Sequence, residues 1–193
     1  DRITQGQGPL AVWEWKRLAE VRFKSGNVAG DFADARIPLL SNALREIAPQ
    51  CSVLVELKQD RTRPDELVRR TLEVVREAGD LLRCRFISFE QDLLLRLRDV
   101  ARSEGLEAEL GVLVDLNSVE TLLPRAREVG ARALHPKHTL IDEELMRAAR
   151  EEGFRVNAWT VNTAEDIRRL ARLGVDEITT DDPEHALQIL AAP

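Results

Sequence analysis

A parallel α/β barrel is the fold class that this sequence predicts, and three observations predict it. From about residue 52 onward, short apolar runs rich in Val, Ile and Leu alternate with amphipathic charged stretches. Glycines at 79, 105, 130, 153 and 174 close the helical patterns at intervals of 26, 25, 23 and 21 residues, which makes a supersecondary repeat. No G-x-G-x-x-G follows the first run, as a dinucleotide-binding open sheet would require. Six β-α units in a row read as part of a (β/α)8 or TIM barrel, with a doubly wound open sheet as the alternative. At 193 residues, 44% of them hydrophobic, the chain supports one domain with a real core better than two.

In chain order, the first 47 residues are a lead segment with no β-α unit. A polar, glycine-bearing start is followed by a helical stretch near Ala11 to Val21, a loop through Gly26 and Gly30, and a helix over 37–47 opened by Pro38. Strands are expected at 52–58, 84–88, 109–114, 131–135, 155–160 and 175–180, within six β-α units spanning 52–191. Helix starts are marked by Asn117 with Glu120, Thr163 with Asp166, and Asp182 before Pro183. Leu67, Val68, Leu72, Val75 and Ala78 share one helical face, as helices laid on the outside of a parallel sheet require. A barrel of this kind needs two further strands upstream of these six. Six alone leave two open edges, so a homo-oligomer is among the outcomes expected of them.

Composition excludes several classes. With 28 Lys and Arg against 34 Asp and Glu, the net charge of −6 argues against a nucleic-acid partner, whose phosphates demand concentrated positive charge. No apolar run approaches the roughly 18 residues that cross a bilayer, so no membrane insertion is expected. Cys51 and Cys84 make neither a disulfide framework nor a cysteine zinc site, and a reducing, cytoplasmic setting is the expectation. The sequence does not open on Met, so a secreted or periplasmic setting stays open as the alternative.

Chemistry concentrates at the strand ends. Glu56 and Lys58 close the most apolar strand, and alternation points both to one face with Leu57 on the other. In a barrel that face is the interior, and catalytic groups gather at the C-terminal ends of strands. A carboxylate and an ammonium there meet each other, a metal or a charged substrate; a simple ion pair capping the barrel is the bland alternative. Trp159 ends another run and can wall a pocket or pack under a loop. Glu56, Lys58, Ser88 and Trp159 are expected to open on one common mouth. His135 reads as a hydrogen-bonded loop residue, Asp182 as a helix cap, and Trp13 and Trp15 as packing. No H-E-x-x-H, C-x-x-C or G-x-S-x-G occurs, which removes zinc and serine-hydrolase readings and leaves a hard cation on carboxylate oxygen open.

The segments Val53-Leu54-Val55-Glu56-Leu57-Lys58, Val156-Asn157-Ala158-Trp159-Thr160-Val161-Asn162 and Gly174 to Glu184, in that order, give the chain a likeness to a known family. So do Ile87-Ser88-Phe89, Arg36-Ile37-Pro38-Leu39-Leu40, and Arg2 to Gly8, which looks like an R-T-T-x-G-x-G segment with Ile3 in place of a threonine. The sequence resembles the glycerophosphodiester phosphodiesterase family over nearly its whole length. The resemblance implies a (β/α)8 barrel that hydrolyses glycerophosphodiesters to glycerol 3-phosphate and an alcohol. It also implies a divalent cation, Mg or Ca, held by carboxylates, and two histidines as acid and base. Glu56 would be a metal ligand, Lys58 would steady the phosphate charge, and Trp159 would match the family's pocket tryptophan. The family's H-R-G, E-x-D and H-D motifs belong upstream of the R-T-T-like segment, so the 193 residues alone are expected to be inactive. The alternative is a non-catalytic, barrel-derived module that binds a phosphate ligand or a partner.

Overall fold

The computed structural model describes residues 4–24, 34–47, 50–58, 63–79, 81–115 and 119–191. The chain divides into two compact units, Asp1–Cys51 and Ser52–Pro193. In the first unit the helix expected near Ala11 to Val21 is not continuous. A 3-10 turn covers Leu10–Val12, and a single-turn helix α1 covers Trp15–Leu18. Between them Trp13 and Glu14 are extended. The Trp13 indole N–H donates back to the Gln7 carbonyl at 3.2 Å. Helix α2 is Leu40–Ile47, starting two residues after Pro38, with the Leu39 carbonyl accepting from Asn42 and Ala43. Gly26, Gly30 and Asn117 lie outside the described residues.

Among the described residues the second unit carries six strands: β1 Val53–Glu56, β2 Cys84–Ser88, β3 Glu109–Val114, β4 Ala133–Pro136, β5 Arg155–Ala158 and β6 Glu177–Ile178. Between and after them run α3 Pro64–Glu77, α4 Gln91–Ser103, α5 Val119–Val129, α6 Glu143–Glu151, α7 Ala164–Leu173 and α8 Pro183–Ala191. All five strand pairings are parallel, and spatial order equals chain order, β1-β2-β3-β4-β5-β6. A doubly wound sheet reverses its strand order at a switch point; this one never does, which is the barrel's signature.

The sheet curls. Arg85 on β2 reaches Glu177 on β6 at 2.5 Å. At about 4.8 Å per strand a flat sheet would hold those two strands roughly 19 Å apart, beyond the combined reach of the two side chains. Arg155 on β5 likewise meets Glu109 on β3 across the concave face.

Strand alternation sorts the residues into two layers. On the outer layer Cys84, Phe86, Ser88, Leu110, Val112, Leu134, Val156 and Ala158 are buried under the helices, with Leu72, Val75, Leu94, Leu97, Leu145 and Leu170 facing inward from them. The register puts Arg85 beside Glu109, Ile87 beside Gly111 and Leu113 beside His135 on the inner layer. Helix ends obey local chemistry. Thr163 accepts from the Asp166 N–H and Asp182 from the His185 N–H, as the sequence predicts, while Asp142 caps α6 through the Leu145 N–H. Gly174 closes α7 at φ 73, a conformation that side chains resist, and the Arg150 guanidinium packs where a Cβ would sit.

Gly111 is glycine for a different reason, namely space. A Cβ there would fall 2.5 Å from Nε2 and 2.6 Å from Cδ2 of the His135 ring. Gly111→Ala is therefore expected to cost about 1–3 kcal/mol, the usual range for overpacking. Urea denaturation checks it, and the cost should shrink when His135 is shortened to alanine.

Candidate active site

In a parallel barrel all strands end on the same face, and the loops after them build the site. Glu56 is the last residue of β1 and Trp159 follows β5 directly, so both stand at that face. Lys58 Nζ lies 2.5 Å from Glu56 Oε1, the same-face pair that alternation predicts. The lysine is far the more open of the two, 77% exposed against 30% for Glu56. Its ammonium is thus presented to solvent with the carboxylate behind it.

Glu56 lies opposite Ile87 in register, and the Leu57 N–H donates to the Ile87 carbonyl at 2.8 Å, which carries the end of β1 onto β2. Two residues beyond Ile87, Phe89 packs edge-on against Trp159, with ring centroids 5.5 Å apart and planes at 85°. That T-shaped geometry is the favoured one for aromatic pairs. The indole N–H of Trp159 donates to the His135 carbonyl at 2.7 Å. An aromatic wall and a charged pair thus stand on the same rim. Phe89 was not picked out as a site residue from the sequence; counting alternation onward from Ile87 would have found it.

Ser88 does not open on the mouth. It is fully buried, its hydroxyl donates to the Leu57 carbonyl at 2.7 Å, and it accepts from the Glu90 N–H at 3.0 Å. Its place in the strand puts it on the helix-facing layer, one step out of phase with Ile87 and Phe89. Asp181 accepts from the Asn162 side chain at 2.7 Å, which ties the loop after β5 to the loop after β6.

His135 points into the barrel. It is 2% exposed, and its Nε2 has no hydrogen-bond partner among the described residues. Burial drives its pKa down to about 4; the Glu177 charge pulls it back up, and Arg85 and Arg155 push it lower again. The imidazole is accordingly neutral at physiological pH. Glu177 titrates below the usual carboxylate range: burial alone would raise it, but the Arg85 hydrogen bond and charge, with Arg155 and His135, outweigh burial. Asn157 donates to the same carboxylate at 3.1 Å.

A divalent cation of the kind the resemblance implies takes about six or more oxygen ligands. Glu56 offers oxygen chemistry suited to a hard cation. Among the described residues, however, no three His, Cys, Asp or Glu side chains gather closely enough to hold a metal. The described residues alone do not make up a cation site. Among those residues, too, no helix is long and apolar enough to cross a membrane.

Solved structures share this architecture. A Silicibacter pomeroyi protein assigned to the glycerophosphoryl diester phosphodiesterases superposes with a TM-score of 0.80 at 27% identity, over 97% of this chain and 71% of its own. A phosphodiesterase from Oleispira antarctica, in complex with the product sn-glycerol-3-phosphate, gives 0.85 at 20% identity, over 99% and 76%. Among curated proteins, the glycerophosphodiester phosphodiesterase of Caldanaerobacter subterraneus subsp. tengcongensis is 28% identical over 194 residues, 98% of this chain and 76% of that protein. One from Arabidopsis thaliana is 32% identical over 160 residues, 81% of this chain and 47% of that protein. Residues 1–185 match the family's sequence profile. With the curled parallel sheet agreeing with that match, the chain belongs to the glycerophosphoryl diester phosphodiesterase family.

Proposed function

We propose that this chain forms the larger part of an enzyme that hydrolyses glycerophosphodiesters to glycerol 3-phosphate and an alcohol. The observation that carries the reading is the Glu56–Lys58 pair on the C-terminal rim of the barrel. A phosphodiester repels nucleophiles because it is anionic, and charge builds on its non-bridging oxygens as the phosphorus becomes five-coordinate. An exposed ammonium aimed at that charge lowers the barrier. Glu56 fixes the ammonium's position and would supply one oxygen ligand to a divalent cation, Mg or Ca, which when bound would draw charge from a non-bridging phosphate oxygen. Trp159, braced by Phe89, walls the pocket on the side of the glycerol or the alcohol.

The test uses sn-glycerol 3-phosphate, the product bound in the Oleispira structure. Lys58→Met should weaken its binding by about tenfold or more, with Lys58→Arg restoring part of the loss. Isothermal titration reads the change directly. Unchanged affinity in Lys58→Met removes the lysine from the site. A second reading, a module that binds phosphate without turnover, draws on the lack of a three-ligand cluster among the described residues. Hydrolysis of glycerophosphocholine with magnesium or calcium separates the two, since a binding module releases no choline.

A further inference from the structure

Three polar groups of Trp159 are committed to one short stretch of chain. Its indole N–H donates to the His135 carbonyl at 2.7 Å, its backbone N–H to the Pro136 carbonyl at 3.4 Å, and its carbonyl accepts from the His138 N–H at 2.9 Å. Where residues 135–138 go, the indole goes. That stretch leaves β4 and runs into a single 3-10 turn, His138–Leu140, closed by the Ile141 N–H on the His138 carbonyl at 3.4 Å. One side chain takes up two carbonyls of this turn. Arg169, on α7, donates through its two terminal nitrogens to the Ile141 and His138 carbonyls, both at 2.9 Å.

The arginine is itself held in place. Asp166, one turn earlier on α7, lies 3.4 Å from Arg169 and accepts from the Thr163 hydroxyl at 2.8 Å. The same carboxylate stands 3.5 Å from His138 Nδ1, a buried nitrogen with no hydrogen-bond partner among the described residues. The Thr163 hydroxyl first, and the His138 and Arg169 charges after it, hold Asp166 below the ordinary carboxylate range against the opposing pull of burial. A planar two-pronged donor suits two carbonyls three residues apart; an ammonium on a flexible stem engages one at a time.

From these contacts we infer that Arg169, seated by Asp166, is a positioning residue that sets the indole of Trp159 through the His138–Ile141 turn, and so fixes the wall of the glycerophosphodiester pocket without touching the ligand. The inference rests on the proposed role of Trp159 in that pocket. It assigns α7, a helix on the outside of the barrel, a part in substrate recognition.

The experiment places Trp13→Phe and Trp15→Phe in the chain, so that Trp159 is the sole fluorophore, and compares Arg169→Gln, Arg169→Lys and Trp159→Phe. Two quantities are read: acrylamide quenching of Trp159, and the Kd for sn-glycerol 3-phosphate. Arg169→Gln should raise the quenching constant about twofold and weaken binding about three- to tenfold, since small misplacements at a site are costly. Arg169→Lys should fall between it and the parent. A quenching constant and Kd both unchanged in Arg169→Gln, at parental thermal stability, overturn the inference. So does increased quenching with Kd unchanged while Trp159→Phe weakens binding, because the indole then moves without consequence. If Trp159→Phe itself leaves Kd unchanged, the pocket role of Trp159 fails, and the functional half of the inference fails with it; the quenching series still reports whether Arg169 sets the ring.

Discussion

Glu56→Gln should lower the turnover of glycerophosphocholine by roughly a hundredfold or more in the enzyme carrying this chain, the scale at which a single transition-state charge contact is usually felt. The substitution preserves the shape of the side chain and removes only its charge. Stability should barely respond. The partner ammonium of Lys58 is 77% exposed, and an ion pair so open to water contributes about 0–1 kcal/mol. The expected pattern is therefore a collapse in kcat/KM with a metal-free thermal midpoint near the parent's. Full activity in Glu56→Gln would take the carboxylate out of the site, and a large loss of stability would make it a structural residue.

The second large effect is an acid-induced loss of stability that belongs to His135. Its pKa is about 4 in the folded protein, against an ordinary 6.5 once unfolded. Between those values the unfolded chain binds a proton that the folded one refuses, so stability is complete above pH 6.5 and falls as the pH drops toward 4. A gap of about two and a half pH units corresponds to about 3 kcal/mol. The groups facing the ring are Glu177, Arg85 and Arg155, with Gly111 beneath it. Glu177, held below its usual range, contributes its own loss at lower pH than His135. His135→Leu keeps an apolar body over Gly111 and removes the proton site. Urea unfolding from pH 7.5 to 4 should show the parent losing about 3 kcal/mol that the variant keeps, and parallel curves would refute the assignment.

Parts of this were legible in the sequence for clear reasons. β2 and β3 fall where expected, at Cys84–Ser88 and Glu109–Val114, because each is a short, mainly apolar run set between charged, amphipathic stretches. The last strand is shorter than the expected 175–180. Val175 is spent on closing α7, through its N–H to Leu170, and Thr180 turns to bond Asn162. The Glu56–Lys58 pair was readable from parity alone, and the same rule applied to Ser88 would have shown that it faces the helices. Nothing local announced the Arg85–Glu177 contact, whose partners are 92 residues apart. That His135 Nε2 finds no partner among the described residues was equally invisible, since such an atom's state is set by what surrounds it.

That long contact has a kinetic consequence. Paired strands in this sheet lie only 20 to 31 residues apart in the chain. Each β-α unit can therefore dock on its neighbour with little loop closure, as modular repeats do. A ladder built that way has no need to know its final curvature. Arg85 and Glu177 meet only after every intervening strand is in register, so the bend closes late, after the rate-limiting step, and Arg85→Leu should speed unfolding while leaving the refolding rate almost untouched.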